Sequence, residues 1–201
     1  MPLFLALLVF FAMPTVGQSV EATAPWLTVY DEAGHPKWEV RMERLVRTQD
    51  GWEGEAVQVH LYHKGAPLVL LRAPQIRADR YGREWTLDGG VAGEGEGFSL
   101  QCEQARWSGG LVLVGLKAEG RGLALSATEA RWRLGEAVEL LDAGVTFGGW
   151  LLRFATGRYD LAQDVLTAEG VTATGHGVTL VGKTLTAWPR DGRLRVTEAH
   201  L

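Results

Sequence analysis

The sequence predicts an all-β fold of stacked antiparallel strands, built from repeats and bent into a V-shaped or flattened-roll sheet. Apolar and polar residues alternate with a period of two in segments along the chain from Trp26 onward. Glycine-containing turn signals separate these segments, and a similar unit recurs between Val91 and Leu180. Alternation interrupted by frequent turns is typical of strands that bury one face and expose the other.

The composition limits the class of protein. The 201 residues suffice for one domain or one repeat array with a sizeable core. Hydrophobic residues make up 46% and charged residues 22%, which is typical of an ordered protein. The net charge is −4, and the 20 Lys and Arg residues are spread among 24 acidic ones. Because nucleic-acid binding needs basic residues gathered on one face, this pattern argues against a nucleic-acid partner.

The first residues predict an exported protein. Residues 2–13 form an uninterrupted apolar run without a charged side chain. This run is shorter than the roughly 20 residues of a transmembrane helix and matches the apolar region of a signal peptide, although no basic residue precedes it. We expect residues 1–24 to be a signal peptide or a short membrane anchor. The expected cleavage site is before Gln18, and a second candidate after Ala24 is disfavoured by Pro25. Residues 25–201 then form the folded β domain.

The strands are predicted from segments such as 38–42, 57–61 and 194–196, in which apolar residues occupy every second position. Short turn signals lie between such segments, and each contains a glycine that tolerates the backbone of a tight turn. These signals are Asp31 to Gly34, Asp50-Gly51, Lys64-Gly65, Tyr81-Gly82, Asp88-Gly89-Gly90 and Asp191-Gly192.

An internal repeat joins these strands into units. Each copy has an apolar residue, a Gly-x-Gly turn and a second apolar residue seven positions after the first. The copies start at Val91, Leu116 and Val171, with a looser copy at Val145. Such spacing indicates a repeat architecture with one supersecondary unit per copy.

The second half of each unit predicts a crease. Leu100 and Cys102 share one face of a strand, whereas Ala105 and Trp107 have the opposite parity, and the next copy repeats this change. An extra residue in a strand, a β-bulge, switches faces in this way and bends the strand. We expect bends at Glu103-Gln104, at Thr128-Glu129 and at equivalent sites, stacked along one line of the sheet.

The predicted interior is an apolar groove. The crease positions are mostly small, at Ala73, Cys102, Ala127 and Gly182, with Phe154 as the exception, and larger side chains lie on the walls. A long acyl chain in such a groove gains about 0.8 kcal/mol per buried methylene. Equally, the small residues can serve only to relieve crowding at the bend. The predicted lipid-binding walls are Phe98, Leu100, Leu123, Leu125, Leu152, Phe154, Val178 and Leu180.

These repeats resemble a known family. The segment 29–40 resembles the first hairpin of LptC-type proteins, with an acidic residue, a Gly turn, an aromatic and an aliphatic residue. The later units, with Ala-x-x-Ala-x-Trp or a relative of it after a Gly-x-Gly-apolar segment, resemble the OstA-like repeats shared by LptA and LptC. The resemblance covers most of residues 26–201, and it implies a stacked β-jellyroll, or β-taco, of the periplasmic lipopolysaccharide-transport type.

The same resemblance implies a function. It implies a non-enzymatic periplasmic carrier or scaffold that holds lipid A acyl chains of lipopolysaccharide, or another envelope glycolipid, inside the jellyroll. It also implies edge-to-edge docking with related jellyroll proteins, and contact with an inner-membrane transporter complex. LptC-type proteins usually keep an anchor with a basic flank, which this leader lacks. Both a soluble LptA-like role and a tethered LptC-like role therefore stay open.

The alternating segment 194–197 near the C-terminus bears on docking. A strand there with unpaired backbone groups is a template for another sheet. Blunting of this edge by Arg193, Arg195 and Glu198 is an equal alternative.

Catalytic and metal chemistry are not predicted. His60 and His63 point to opposite faces of one strand, and the single Cys102 excludes a disulfide framework and a thiolate-rich zinc site. The segment 93–97 is glycine-rich, but no helix follows it, so a hairpin explains it better than a phosphate loop. We expect no catalytic residue, no metal site and no cofactor.

Two other classes of protein are compatible with the repeats. One is a carbohydrate-binding or envelope structural β-solenoid, which would present its Trp rings outward in a row, whereas a lipid carrier would point them inward. The other is an enzyme on a β-helix, which is disfavoured because no carboxylate pair or basic cluster interrupts the repeats.

Overall fold

The structure is a computed structural model, and it describes residues 21–200. The predicted cleavage site before Gln18 and the apolar run 2–13 lie outside the described residues. The first strand begins at Glu21, within the range 1–24 assigned to the leader. The strands are β1 Glu21–Thr23, β2 Trp26–Tyr30, β3 Pro36–Arg41, β4 Arg44–Arg47, β5 Gly51–His63, β6 Ala66–Asp79, β7 Glu84–Asp88, β8 Val91–Gly95, β9 Phe98–Cys102, β10 Gln104–Ser108, β11 Leu111–Gly120, β12 Leu123–Trp132, β13 Val138–Phe147, β14 Trp150–Asp160, β15 Val165–Gly175, β16 Val178–Trp188 and β17 Arg193–Thr197.

All seventeen strands belong to one antiparallel sheet. The chain runs back and forth, so that each long strand pairs with the next, and we call each level of this meander a rung. Some rungs consist of two successive strands with a break between them: β3 and β4 pair with the two halves of β5, and β9 and β10 pair with the two halves of β11. Among residues 21–200 the one helical segment is a 3-10 turn at Pro189–Asp191, and no helix there is long and apolar enough to cross a membrane.

A crease crosses the middle of successive rungs. Gly115 of β11 and Thr128 of β12 lie opposite each other and are left out of the ladder, as are Ala56 of β5 and Pro74 of β6. Alternate rungs place this residue in the left-handed region, with φ of 52° at Ala56 and 65° at Gly115. The predicted all-β, antiparallel, creased and repeat-built architecture is therefore confirmed.

The β-bulges predicted at the crease are correct in position and wrong in kind. A bulge would shift the pairing register, but the register of β11 against β12 is the same on both sides of Thr128. Each strand carries its own extra residue, and these residues oppose one another, so the face changes while the register is kept. Asp88-Gly89-Gly90, predicted as a turn, also lies at the crease, between β7 and β8, where the register against β6 shifts by one residue.

The inward faces follow the predicted change of parity. Leu100 and Cys102 are buried before the crease, and Ala105 and Trp107 are buried after it. Trp38, Trp52, Trp85, Trp107 and Trp132 are all buried. The outward row of Trp rings that a sugar-binding solenoid requires is therefore not found in residues 21–200, where Trp26 is the one largely exposed tryptophan, at 65%.

The crease divides the sheet into two arms. We call one arm the hairpin arm: its strands end in the tight turns that join Gly95 to Phe98 and Gly120 to Leu123. The tryptophan arm holds a row of inward Trp residues, including Trp107 and Trp132. The arms face each other, because the ring of Phe98 meets that of Trp132 edge-on, with centroids 6.3 Å apart. The inward side chains of both arms form one core.

The arms also meet at their outer ends, opposite the crease, along a line that we call the seam. An added Cβ at Gly135 of the tryptophan arm would lie 2.1 Å from Cε1 of His63 of the hairpin arm. An added Cβ at Gly148 would lie 3.0 Å from Cα of Gly192. Both glycines also have a positive φ, 84° at Gly135 and 53° at Gly148, so glycine is favoured where the turns of the two arms touch. The jellyroll is closed along this seam.

Candidate functional site

An apolar cavity of about 80 Å³ lies between the two arms, near the middle of the sheet. Its floor and walls come from both arms, and the rim is formed by the hairpin between β11 and β12. The lining residues are Phe98, Leu100, Leu113, Leu116, Ala118, Glu119, Gly120, Arg121, Leu123, Leu125, Trp132, Val138, Leu140, Tyr159 and Leu161.

The hairpin arm positions one wall through its glycines. Phe98 begins β9 and lies across the hairpin, where an added Cβ at Gly95 would lie 2.4 Å from its ring. An added Cβ at Gly120 would lie 2.9 Å from the Cβ of Phe98. Only glycine at these two positions leaves room for the ring, which then reaches Trp132 on the opposite wall. The Gly-x-Gly repeat thus shapes the cavity as well as the turn.

The rest of the interior is largely filled. Trp85 stacks on Trp107 with ring centroids 5.9 Å apart, and Trp38 meets Trp85 edge-on at 6.4 Å. The groove expected from the sequence is thus reduced to a local cavity in this structure. A cavity of about 150 Å³ holds a ligand as small as benzene, so 80 Å³ does not hold a long acyl chain. Binding such a chain requires the arms to move apart.

The predicted groove residues divide into two sets. Phe98, Leu100, Leu123 and Leu125 line the cavity. Four others lie farther along the hairpin arm, outside it. Of these, Leu152 and Phe154 are buried in the core, Leu180 is half-buried against it, and Val178 is 39% exposed.

Sequence reasoning missed the opposite wall. Trp132, Val138, Leu140 and Tyr159 come from the tryptophan arm, and Leu161 comes from the turn after β14. The change of parity after the crease was a usable signal, because it places Trp132 on the inner face. The sequence does not indicate which rung of one arm packs against which rung of the other arm.

Arg121 spans the seam above the cavity. It occupies the tight turn of the hairpin arm, between β11 and β12. Its Nη1 donates a hydrogen bond of 2.9 Å to the carbonyl oxygen of Leu161, on the tryptophan arm. Its Nη2 donates one of 3.2 Å to the carbonyl oxygen of Glu96, on the neighbouring hairpin. The guanidinium therefore ties the two arms together with neutral acceptors.

A buried acid lies beside this rim. Asp164 is 6% exposed and accepts hydrogen bonds from the hydroxyl of Tyr159 and, at 2.9 Å, from the backbone N–H of Arg190. The Nε of Arg190 lies 3.8 Å from Oδ2 of Asp164. Burial, followed by the bond to Asp164, raises the pKa of Tyr159 well above its usual value. Tyr159 thus stays protonated at the cavity wall and donates a hydrogen bond to the carboxylate of Asp164. Arg190 compensates the charge of that carboxylate.

The Cys102 thiol is not activated as a nucleophile. Burial raises the pKa of the Cys102 thiol to about 11, so the thiolate that nucleophilic chemistry needs is scarce at neutral pH. Within residues 21–200, no three His, Cys, Asp or Glu side chains are grouped so that they could hold a metal ion.

The fold and the cavity define a class: an all-β protein with a creased antiparallel sheet that encloses an apolar site between its arms. No family model and no curated protein matches the chain. Among solved structures it is similar to LptH from Pseudomonas aeruginosa, described as the LptA homologous periplasmic component of the conserved lipopolysaccharide transport device. The similarity has 11% sequence identity and a TM-score of 0.27, and it covers 64% of this chain and 80% of that chain.

Proposed function

We propose that this protein is a non-enzymatic periplasmic lipid carrier or scaffold, which binds the acyl chains of lipopolysaccharide or another envelope glycolipid between its arms for transport to the outer membrane. The observation that carries the proposal is the apolar cavity lined from both arms beneath a closed seam. The OstA-like pattern of the repeats supports the choice of an envelope glycolipid. The apolar leader supports export, with the protein either free or tethered to the inner membrane.

The energetics are sufficient for capture. Burying about ten methylenes contributes about 8 kcal/mol, which corresponds to a micromolar dissociation constant if nothing opposed it. Parting the arms breaks the Arg121 hydrogen bonds and the contacts at Gly135 and Gly148, and so reduces this gain. A carrier benefits from such moderate affinity, because it must also release its lipid.

The free edges support docking of related β-jellyroll proteins or an inner-membrane transporter complex. Within residues 21–200, β2 pairs only with β3 at one end of the sheet. At the other end, the described residues pair β17 with the 184–188 half of β16, and the 178–182 half of β16 is met by the bridge from His200 to Val181. Unpaired backbone groups at both ends allow another sheet to add to either one.

The proposal is tested by native mass spectrometry of the full chain purified from a periplasm, with Leu125→Asp as the variant. We expect the wild-type protein to carry a glycolipid and Leu125→Asp to lose it, because a carboxylate in the cavity wall would have to be desolvated by an acyl chain. The matched control is Leu151→Asp, since Leu151 is 39% exposed and lies outside the cavity.

Thermal unfolding of the same variants separates binding from folding. Lipid loss in Leu125→Asp together with a native-like melting temperature supports the proposal. Equal loss of lipid in both variants, or a parallel collapse of stability and lipid in Leu125→Asp alone, would remove the basis for a specific lining role.

A further inference from the structure

We infer that Arg121 is the head-group residue of the cavity, and that the preferred ligand is an amphiphile whose head carries a phosphate. This inference rests on the proposed function and deepens it, because it adds the chemical class of the head group. The apolar cavity accounts for the chain of such a ligand, and the guanidinium at the rim accounts for its head.

The hydrogen bonds of Arg121 leave its positive charge available to an anionic ligand. Its guanidinium has five N–H donors, and the two hydrogen bonds that it makes go to neutral carbonyl oxygens. In the described part of the chain it forms no ion pair, whereas arginines such as Arg72 and Arg77 pair with carboxylates. Its positive charge is half-buried and uncompensated at the mouth of an apolar site.

A phosphate is a better acceptor for this group than the two carbonyls. Charge-assisted hydrogen bonds are roughly twice as strong as neutral ones, and the planar guanidinium matches two phosphate oxygens at once. A phosphate head would therefore draw Arg121 away from the carbonyl oxygens of Leu161 and Glu96. The loss of the bond to Leu161 frees one arm from the other where the acyl chain must enter.

The neighbouring acids leave this charge available. Asp164 is already compensated by Tyr159 and Arg190. Asp160 accepts two backbone hydrogen bonds of 2.9 Å from Ala162 and Gln163 in the turn after β14. Both carboxylates are engaged within the tryptophan arm. Glu119 also lines the cavity but is exposed to solvent and forms no ion pair with Arg121 in the described residues, so the Arg121 guanidinium stays available to an incoming phosphate.

The test compares single-chain amphiphiles of one length by calorimetric titration of the full chain, below their micelle-forming concentrations. The ligands are dodecyl phosphate, dodecyl maltoside and inorganic phosphate. The variants are Arg121→Gln, which removes the charge, and Arg121→Lys, which keeps the charge but not the planar fork. The matched control is Arg133→Gln, because Arg133 is an exposed arginine in the next turn and does not line the cavity.

We expect the wild type to bind dodecyl phosphate at least about tenfold more tightly than dodecyl maltoside. Arg121→Gln should lose this preference and still bind dodecyl maltoside, which shows that the cavity is intact. Arg121→Lys should keep part of the preference, and Arg133→Gln should keep all of it.

Four outcomes overturn the inference. Equal binding of the two amphiphiles by the wild type, or a preference that survives in Arg121→Gln, removes the head-group role and leaves the lipid-carrier proposal standing. Binding of inorganic phosphate as tight as that of dodecyl phosphate shows a free-anion site instead. Failure of every amphiphile to bind overturns the carrier proposal as well.

Discussion

At the scale of single residues, this protein uses a few side chains to combine an apolar interior with a polar rim. Cys102 lies next to the crease, in a position where sister repeats have Ala73, Ala127 or Gly182, and it is buried at 6% exposure. It therefore acts as a small apolar side chain. Arg121 and Tyr159 instead bring polar atoms to the edge of the cavity, where they meet backbone or a buried carboxylate.

The burial of Cys102 predicts a loss of stability at high pH. The pKa of its thiol is raised from 9.0 to about 11, so the folded state keeps its proton where the unfolded state loses it. The contribution is complete below pH 9 and disappears as the pH rises through 11. We expect the free energy of unfolding to fall more steeply with pH for the wild type than for Cys102→Ala. The measurement is urea unfolding at a series of pH values from about 8 to about 11.5. Parallel curves for the two proteins would contradict the assignment.

At the scale of elements, the crease is made by the backbone. In the long rungs, residues at the crease leave the ladder, and alternate rungs place one of them in the left-handed region, as at Asp142 with φ 45° and Gly170 with φ 62°. Because neighbouring rungs make the same change at the same level, the ladder continues in register on both sides. The crease is therefore a collective feature, and each position can be tested separately.

Gly170→Ala tests the backbone contribution at one crease position. An added Cβ there would contact nothing within 4 Å, so the cost is that of holding alanine at φ 62°. We expect a loss of about 1–2 kcal/mol in the free energy of unfolding. Gly110→Ala is the control, because its φ is not positive and its added Cβ would make ordinary contacts beginning at 3.5 Å. A loss as large in Gly110→Ala would mean that the left-handed conformation is not the cause.

At the scale of the whole molecule, closure of the seam decides whether the interior is reachable. The arms are joined at the crease by covalent continuity and at the seam by contacts between turns, such as His63 against Gly135 and Arg121 against Leu161. The cavity beneath is too small for an acyl chain unless these contacts open. The seam is therefore the element whose stability sets access to the site.

Gly135→Ala should disturb the seam. The new Cβ would lie 2.1 Å from the ring of His63, so that ring or the turn that carries it must shift, and the φ of 84° adds strain. We expect a loss of about 2 kcal/mol or more and increased fluorescence of a dye that binds exposed apolar surface, 1-anilinonaphthalene-8-sulfonate. In the double variant with His63→Ala, the dye signal should return toward that of His63→Ala alone, because the clash is removed. A dye signal that is unchanged in Gly135→Ala would show that the seam does not control access.

Much of the architecture could be predicted from local pattern. The alternation of apolar and polar residues determines which face of each strand is buried, and the Gly-x-Gly turns determine where the hairpin arm reverses. The change of parity between Cys102 and Ala105 locates the crease, and it places Trp107 on the inner face. These are properties of neighbouring residues, so the sequence alone expresses them.

The sequence by itself thus determined the strands, the turns, the crease and the inward side chains, including four of the residues that line the cavity. Only the tertiary structure decided which rungs of the two arms meet, as Phe98 of β9 meets Trp132 of β12 and Trp38 of β3 meets Trp85 of β7. It also decided that an apolar cavity lies between the arms, and that Arg121 closes its rim. The physical reason is that the offset between the arms follows from the twist accumulated over the whole sheet and from side-chain volumes across the interior, which no local pattern encodes.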